Sequence, residues 1–310
     1  MITGSIGSRI LSAVSLLAVI GAVGGLYAMV LQGARPPVQV TGRVVAAVTE
    51  TASLDHADVS SASRLDQTFH RMGYSLDAVG DGRAEVPPLF LTQVPADLDD
   101  LPDIDTRKAV FLKVMLPLVL AVDEEIAADR ARLLDIAARR HAHRPVSAGE
   151  ATWLDALALR YGVEDGDLKK LISRVDVVPP SLALAQSAEE SGWGTSRLVR
   201  RSRNLFGHTA EAGGEAGMRH FASLYEAVRA YVHNLNTHRA YEDLRRARAA
   251  ARSRGLVPDG HTLVAALSRY SERGGAYVDT LRTLMRRNDL IRFDDARLGR
   301  TLPGGQASAS

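Results

Sequence analysis

Cysteine is absent from the 310-residue sequence, and the motifs of cofactor chemistry are absent with it. Without thiols the chain has no disulfide framework, no thiolate metal site and no cysteine nucleophile. There is no glycine-rich phosphate loop and no redox motif. His233 and His238 fall about 140 degrees apart on a helix, so they do not share a face that binds a metal. We therefore expect neither a cofactor nor a metal.

Lysine is absent from the C-terminal part of the chain, where charge is carried by arginine. Ser191 to Arg300 contains 20 arginines, no lysine and 11 acidic residues, whereas Leu91 to Arg130 contains 9 acidic and 4 basic residues. Two interpretations of this basic C-terminal region are open. It binds a polyanionic partner, or its arginines lie on solvated helix faces. Five arginines are clustered, at Arg245, Arg246, Arg248, Arg252 and Arg254. For an exported domain we expect a membrane-surface or cell-wall role for this cluster, and no nucleic acid.

One long apolar run lies at the N-terminus. Ile10 to Leu31 is uncharged, lies between Arg9 and Arg35, and has 22 residues. That length spans a bilayer and exceeds the hydrophobic region of a typical cleaved signal peptide. We predict an uncleaved anchor that leaves the short tail in the cytoplasm and exports the rest of the chain. The alternative is cleavage near Ala28 or Ala34.

Strand signals are scarce, so the predicted fold is mainly α. The segments expected in chain order are an anchor over 1–35, a linker or stalk with a short helix over 36–85, a helical flank over 86–175, a main helical domain over 176–300 and a disordered tail over 301–310. Within them, 65–82 reads as one short helix, and the proline-rich segment 86–101 as extended chain on a domain surface. We expect Pro117 to kink or restart a helix over 105–138. The charged stretch 224–254 reads as one long helix.

The stretch from Ser181 to Gly207, SLALAQSAEESGWGTSRLVRRSRNLFG, is the most informative part of the sequence. Pro179 and Pro180 open a helix that ends in two glutamates. One stripe of this helix is small and polar, as in a helix that lines an open groove, and its members are Ala183, Gln186, Ser187 and Glu190. Glu189 lies near the apolar edge. Trp193, between two glycines, suits a sugar-stacking platform, an apolar wall that raises a carboxyl pKa, or plain core packing.

The string ESGWG followed by NLFG resembles the glucosaminidase domain of glycoside hydrolase family 73, which cleaves peptidoglycan. The similarity to the Bax-like branch of that family extends over residues 86 to 295, and includes FASLYEAVRAYVHNLNTHRAYEDLR and YSERGGAYVDTLRTLM. The resemblance implies a lysozyme-like helical catalytic domain over 176–300, with a short loop or β-hairpin after NLFG. It also implies peptidoglycan glycan strands as the substrate. With the anchor at 10–31, the expected location is the bacterial inner membrane, with the catalytic domain in the periplasm.

The resemblance also implies roles for particular residues. Glu190, immediately before SGWG, matches the catalytic acid, and Tyr270 matches a tyrosine that orients or stabilises the sugar. Tyr277 takes the place of a second, substrate-side aromatic. Asn204 and Phe206 of NLFG line the cleft or support it, and with Trp193 they complete the expected substrate-binding set.

The second catalytic group is left open by the sequence. The segment after NLFG offers only Glu211 and Glu215 as candidates for a second carboxylate. Either one of them activates water, or the acetamido group of the substrate attacks instead. The resemblance favours hydrolysis of the β-1,4 bond on the reducing side of N-acetylglucosamine. The alternatives are a lytic transglycosylase and a catalytically weak scaffold that binds the wall.

Overall fold

Helices make up almost all the regular structure in the computed structural model, which describes residues 61–209 and 217–302. Within these ranges the α-helices are α1 (Ala62–Arg71), α2 (Leu76–Gly80), α3 (Ile104–His141), α4 (Ala148–Arg160), α5 (Leu168–Arg174), α6 (Pro180–Ser191), α7 (Arg197–Ser202), α8 (Leu224–Thr237), α9 (Glu242–Ser253), α10 (Gly260–Leu263) and α11 (Gly275–Arg287). Short 3-10 helices cover Leu98–Asp100, Arg239–Tyr241, Val264–Leu267 and Leu290–Phe293. The prediction of a mainly α fold is confirmed.

Helix α6, which carries the two glutamates, lies at the centre of the fold. Every residue from Pro180 to Ala188 is buried, because α3, α10, α11 and the last 3-10 helix surround it. Small side chains allow this close packing: a Cβ added at Gly260 of α10 would lie 2.1 Å from the Ser181 Oγ. The Asp294 carboxylate accepts hydrogen bonds from the Ser181 amide (2.7 Å) and hydroxyl (2.9 Å). A negative charge at this N-terminus stabilises the helix.

Helix α3 runs through Pro117 without interruption, so a restart there is wrong, and the alternative of a kink stays a prediction. The proline removes one hydrogen bond from the helix interior, which is normally destabilising. Here every residue from Val110 to Val122 is buried. The burial of this apolar segment against α6 and α8 compensates for the lost bond.

The proline-rich segment 86–101 belongs to the core and does not lie on its surface as predicted. Its apolar side chains are buried, namely Leu89, Phe90, Leu91, Val94 and Leu98. Part of its backbone forms hydrogen bonds with segments distant in sequence. The Val86 amide donates to the Arg297 carbonyl (2.7 Å), and the Leu224 amide donates to the Thr92 carbonyl (3.2 Å). The hydrophobic core is therefore continuous across residue 175. The domain boundary predicted at that residue stays a prediction.

Helix boundaries differ from the prediction in two more places. Segment 65–82 forms two helices, α1 and α2, separated by a turn at Gly73 with φ +66°. Segment 224–254 is broken at His238, which is extended (φ −69°, ψ 138°). Arg245 caps the break, since its Nη1 donates to the carbonyls of Leu235 (2.9 Å) and His238 (3.0 Å). No glycine or proline marks this break in the sequence.

The arginine cluster is partly internal, which limits the expected basic surface to its exposed members Arg246 and Arg254. Arg245 and Arg248 are buried, and Arg248 and Arg252 pair with the buried Asp176. Arg130 of α3 pairs with the same carboxylate at 3.5 Å. Burial alone would raise the pKa of Asp176, but Arg248 and the other two arginines outweigh it and hold that pKa below its ordinary value. The cluster therefore ties α3 and α9 to the chain that leads into α6.

The predicted anchor at 10–31 lies outside the described residues, as does most of the predicted tail. Within the ranges that the structure describes, none of the helices is both long and apolar enough to cross a membrane.

Candidate active site

Glu190 lies in the last turn of α6, where the helix emerges from the core. Its side chain is half-buried, and its Oε1 accepts a hydrogen bond of 2.8 Å from the hydroxyl of Tyr277. Removal from water raises the pKa of Glu190, and the neighbouring charge of Glu189 adds to this. The bond from Tyr277 and the charge of Arg273 act in the opposite direction without cancelling the rise. A carboxyl group whose pKa is raised above its ordinary value suits a general acid.

The backbone turns sharply after Glu190 because three successive residues adopt positive φ. The values are +58° at Gly192, +58° at Trp193 and +76° at Gly194. Gly194 has no room for a side chain, since a Cβ there would lie 2.9 Å from the Phe111 ring. The lack of room explains Gly194, and the left-handed backbone favours glycine at Gly192. They let the chain reverse against α3 directly after the acid.

Trp193 packs on α3 and remains partly exposed. Its ring meets Phe111 edge to face at 5.8 Å between centroids, and the Lys108 ammonium lies 5.4 Å from its centre. Among the described residues, the ring contacts of the indole are thus with α3. A sugar-stacking role remains a prediction.

Gly207, the last residue of NLFG, lies directly against the candidate acid. It is exposed, has φ +67°, and a Cβ added to it would lie 3.3 Å from the Oε2 of Glu190. Among the described residues no hydrogen bond reaches this oxygen. The glycine therefore leaves a space at the surface beside the carboxyl oxygen that Tyr277 does not contact.

Asn204 and Phe206 support the site, because both are buried and cannot contact a substrate in this structure. The Asn204 amide donates to the carbonyls of His208 (2.6 Å) and Arg219 (3.0 Å), and its oxygen accepts from the His208 amide (2.9 Å). It thereby joins the two ends of the loop after NLFG. An antiparallel bridge between Thr209 and Met218 joins the same two ends.

The two tyrosines taken from the resemblance lie together beside Glu190. Their rings stack at 5.6 Å with 4° between planes. Tyr277 is buried and contacts Glu190 through its hydroxyl, and its expected role as the substrate-side aromatic stays a prediction. Tyr270 is half-buried and donates to the Phe206 carbonyl at 2.8 Å. It fixes the NLFG segment relative to the acid.

The small polar stripe of α6 does not line an open groove, because Ala183, Gln186 and Ser187 are all buried. Gln186 instead joins Tyr277 to Tyr231 of α8, a residue that sequence reasoning missed. A signal was available. Tyr231 falls on the apolar face of its helix, where a buried hydroxyl requires a partner.

The second carboxylate stays a prediction. Glu211 and Glu215 both lie in the segment that the structure does not describe. Glu189 is bound by Arg273, whose Nη1 lies 2.6 Å from its Oε1. The part of the chain that is described also holds no group of three or more side chains that would bind a metal ion.

The region that matches known proteins includes these residues. Residues 167–290 match the family model for mannosyl-glycoprotein endo-beta-N-acetylglucosaminidase, the glucosaminidase domain. The chain is also 34% identical to protein bax of Escherichia coli (strain K12) over 208 residues, which is 63% of this chain and 74% of that protein. No solved structure matches the chain.

The chain therefore belongs to the Bax-like glucosaminidase family. This family membership agrees with a glycoside hydrolase that acts on a glycan.

Proposed function

We propose that the chain hydrolyses peptidoglycan at the β-1,4 bond on the reducing side of N-acetylglucosamine. The observation that carries the proposal is the environment of Glu190, a half-buried carboxyl with a raised pKa whose Oε2 lies beside the exposed Gly207. Family membership supports the choice of a glycan substrate. The helical core around α6 agrees with a lysozyme-like domain, which we infer from the family resemblance.

In this mechanism Glu190 protonates the leaving oxygen of the glycosidic bond. Tyr277 donates to Oε1 and stabilises the carboxylate that forms as the proton leaves. Trp193 offers an apolar face to a sugar ring, and Tyr270 holds the backbone of NLFG beside the acid. Either Glu211 or Glu215 activates the water, or the acetamido group of the substrate attacks the anomeric carbon.

A lytic transglycosylase is the second candidate, and one observation favours it. Within the described residues, Glu189 is the only carboxylate that contributes to the pKa of Glu190, and Arg273 binds it. A transglycosylase needs one acid and no carboxylate that activates water. The family resemblance leads us to prefer hydrolysis.

Digestion of purified peptidoglycan by the full chain in ¹⁸O-labelled water separates these reactions. We expect soluble fragments that end in reducing N-acetylglucosamine and carry one ¹⁸O, as measured by mass spectrometry. Unlabelled anhydro-muramyl ends would identify a transglycosylase. A wild-type protein that binds the wall but releases no fragments would support the scaffold alternative.

We also propose that residues 10–31 anchor the chain in the bacterial inner membrane and that the catalytic domain faces the periplasm. The apolar run of the sequence supports this, and so does the location of the proposed substrate. Fractionation of cells that produce the full chain tests it. Protease added to spheroplasts should remove the domain if it faces the periplasm.

Substitution of Gly207 by alanine should lower the activity about a hundredfold, the order expected when a catalytic group is displaced by about an ångström. The added methyl group would lie 3.3 Å from the Oε2 of Glu190, where the proposed leaving oxygen must bind. Gly166 provides the control, because it has the same φ of +67° and no atom within 4 Å of an added Cβ. Gly166→Ala introduces the same backbone strain and should leave the rate unchanged. Equal loss of activity in both variants would contradict the assignment.

A further inference from the structure

A continuous line of buried hydrogen bonds leads from α8 to Glu190. The hydroxyl of Tyr231 donates to the Gln186 Oε1 at 2.7 Å, and the Gln186 Nε2 donates to the Tyr277 hydroxyl at 3.0 Å. The Tyr277 hydroxyl in turn donates to the Glu190 Oε1 at 2.8 Å. Tyr231, Gln186 and Tyr277 are all almost completely buried. The line therefore connects the half-exposed acid to the interior of the fold.

The hydrogen-bonding groups of these side chains limit which of them donates at each step of the line. A tyrosine hydroxyl has one proton, and a glutamine amide has one donor end and one acceptor end. Because Gln186 donates to the oxygen of Tyr277, the single proton of Tyr277 is free to point at Glu190. If the amide were turned the other way, its oxygen would take the proton of Tyr277, and Glu190 would lose its donor. An ionised Glu190 only accepts hydrogen bonds, so it favours the first orientation, in which Tyr231 donates to Oε1.

The rings that carry these hydroxyls are held by stacking. Phe206 stacks on Tyr231 at 4.0 Å with 11° between planes, and Tyr270 stacks on Tyr277. Tyr270 also donates to the Phe206 carbonyl at 2.8 Å. Both ends of the line are thus fixed to the NLFG segment, which places Gly207 beside the Glu190 Oε2. Neither ring can turn its hydroxyl away without disturbing that segment.

We propose that Gln186 and Tyr231 are positioning residues that act through Tyr277 to hold the catalytic proton on the Oε2 of Glu190. Tyr277 occupies Oε1, so the protonated carboxyl presents its O–H from Oε2, towards the space beside Gly207. As the proton leaves, the bond from Tyr277 strengthens on the new carboxylate. A hydroxyl that itself accepts a bond is a better donor, so Gln186 and Tyr231 increase this stabilisation. This inference rests on the proposed function of Glu190.

The test is a pH profile of the rate for full-length variants that lose only a hydroxyl. Tyr231→Phe, Tyr277→Phe and the double variant are compared with the wild type on soluble glycan strands. Tyr277→Phe removes a hydrogen bond that stabilises the carboxylate of Glu190, so kcat should fall about tenfold. Because the loss of this bond raises the pKa of Glu190, the basic limb of the pH profile of kcat should move to higher pH. Tyr231→Phe should produce a smaller change in the same direction, with KM unchanged. In the Tyr277→Phe background, Tyr231→Phe should have no further effect on the basic limb.

Tyr74→Phe is the matched control, because Tyr74 is buried and its hydroxyl has no hydrogen-bond partner among the described residues. It should leave the rate and the pH profile unchanged. The proposal is overturned if Tyr231→Phe lowers only the melting temperature, or if its effect on the basic limb is the same with and without Tyr277. If Tyr231→Phe does not fold, Gln186→Met serves in the same cycle, and an unchanged basic limb there also overturns the proposal.

Glu190→Gln separates this inference from the proposed function. An active Glu190→Gln variant would contradict the role of Glu190 itself, whatever the tyrosine variants do. An inactive Glu190→Gln variant together with a wild-type pH profile in Tyr231→Phe would leave the proposed function standing and remove the positioning role.

Discussion

Replacement of Glu190 by glutamine should lower the rate of peptidoglycan cleavage about a thousandfold, the middle of the range that general acid catalysis contributes. Glutamine keeps the shape of the side chain and accepts the bond from Tyr277, but it has no acidic proton. The measurement is the rate of release of reducing ends from purified peptidoglycan. Glu189→Gln is the matched control, since that carboxylate is adjacent in sequence and is bound by Arg273. We expect Glu189→Gln to retain most of the activity.

The Glu190→Gln variant should be at least as stable as the wild-type protein at neutral pH. The pKa of Glu190 is higher in the folded chain than in the unfolded chain, so folding favours the protonated form. As the pH rises from the unfolded pKa to the folded pKa, the folded state loses stability relative to the unfolded state. Glutamine is neutral at every pH and avoids this loss. A Glu190→Gln variant that is both inactive and much less stable would indicate a structural role instead.

Replacement of Asp176 by asparagine should have the largest effect on stability, about 3–5 kcal/mol. Asp176 is buried and compensates Arg130, Arg248 and Arg252, of which Arg248 is also fully buried. Without the carboxylate these positive charges remain within the fold unpaired. Thermal unfolding should show a decrease of roughly 10 °C for a domain of this size.

The pH dependence provides a second check on Asp176. Because its pKa lies below the ordinary value, its contribution to stability is present above the unfolded pKa and is lost as the pH falls through the folded pKa. The variant should therefore differ most from the wild type at neutral pH and least in acid. Asp243→Asn is the control, since Asp243 is exposed and pairs with Arg246 on the same helix. Equal melting temperatures for Asp176→Asn and the wild type would contradict the account of this cluster.

The proposed acid could be located from the sequence because the motifs that mark it are close together in the chain. Glu190, SGWG and NLFG lie within 18 residues of one another, and the structure places Gly207 against Glu190. The helix that carries Glu190 was predicted for the same reason, from Pro180 at its start and Gly192 at its end.

The environment of the acid was not predicted, because it depends on contacts between distant segments. The helical wheel showed that Gln186 and Glu190 share a face, but not that Tyr231 and Tyr277 cover Gln186. The small polar stripe of α6 therefore suggested an open groove. In the structure, Gln186 of this stripe forms buried hydrogen bonds instead.

The arginines of α9 were misinterpreted for a similar reason. Asp176 lies 72 residues before Arg248, and no periodicity connects them. A cluster of arginines on a helix normally indicates a solvated face. Only the fold shows that a buried carboxylate compensates it.

The central claim of this account is that the fold raises the pKa of Glu190 above its ordinary value. Carbon-13 NMR of the side-chain carboxyl measures it directly, with the Glu190 signal assigned by its absence from the Glu190→Gln spectrum. The account predicts that this carboxyl titrates above the ordinary pKa of glutamate, because burial outweighs the bond from Tyr277. Titration at or below the ordinary value would contradict it.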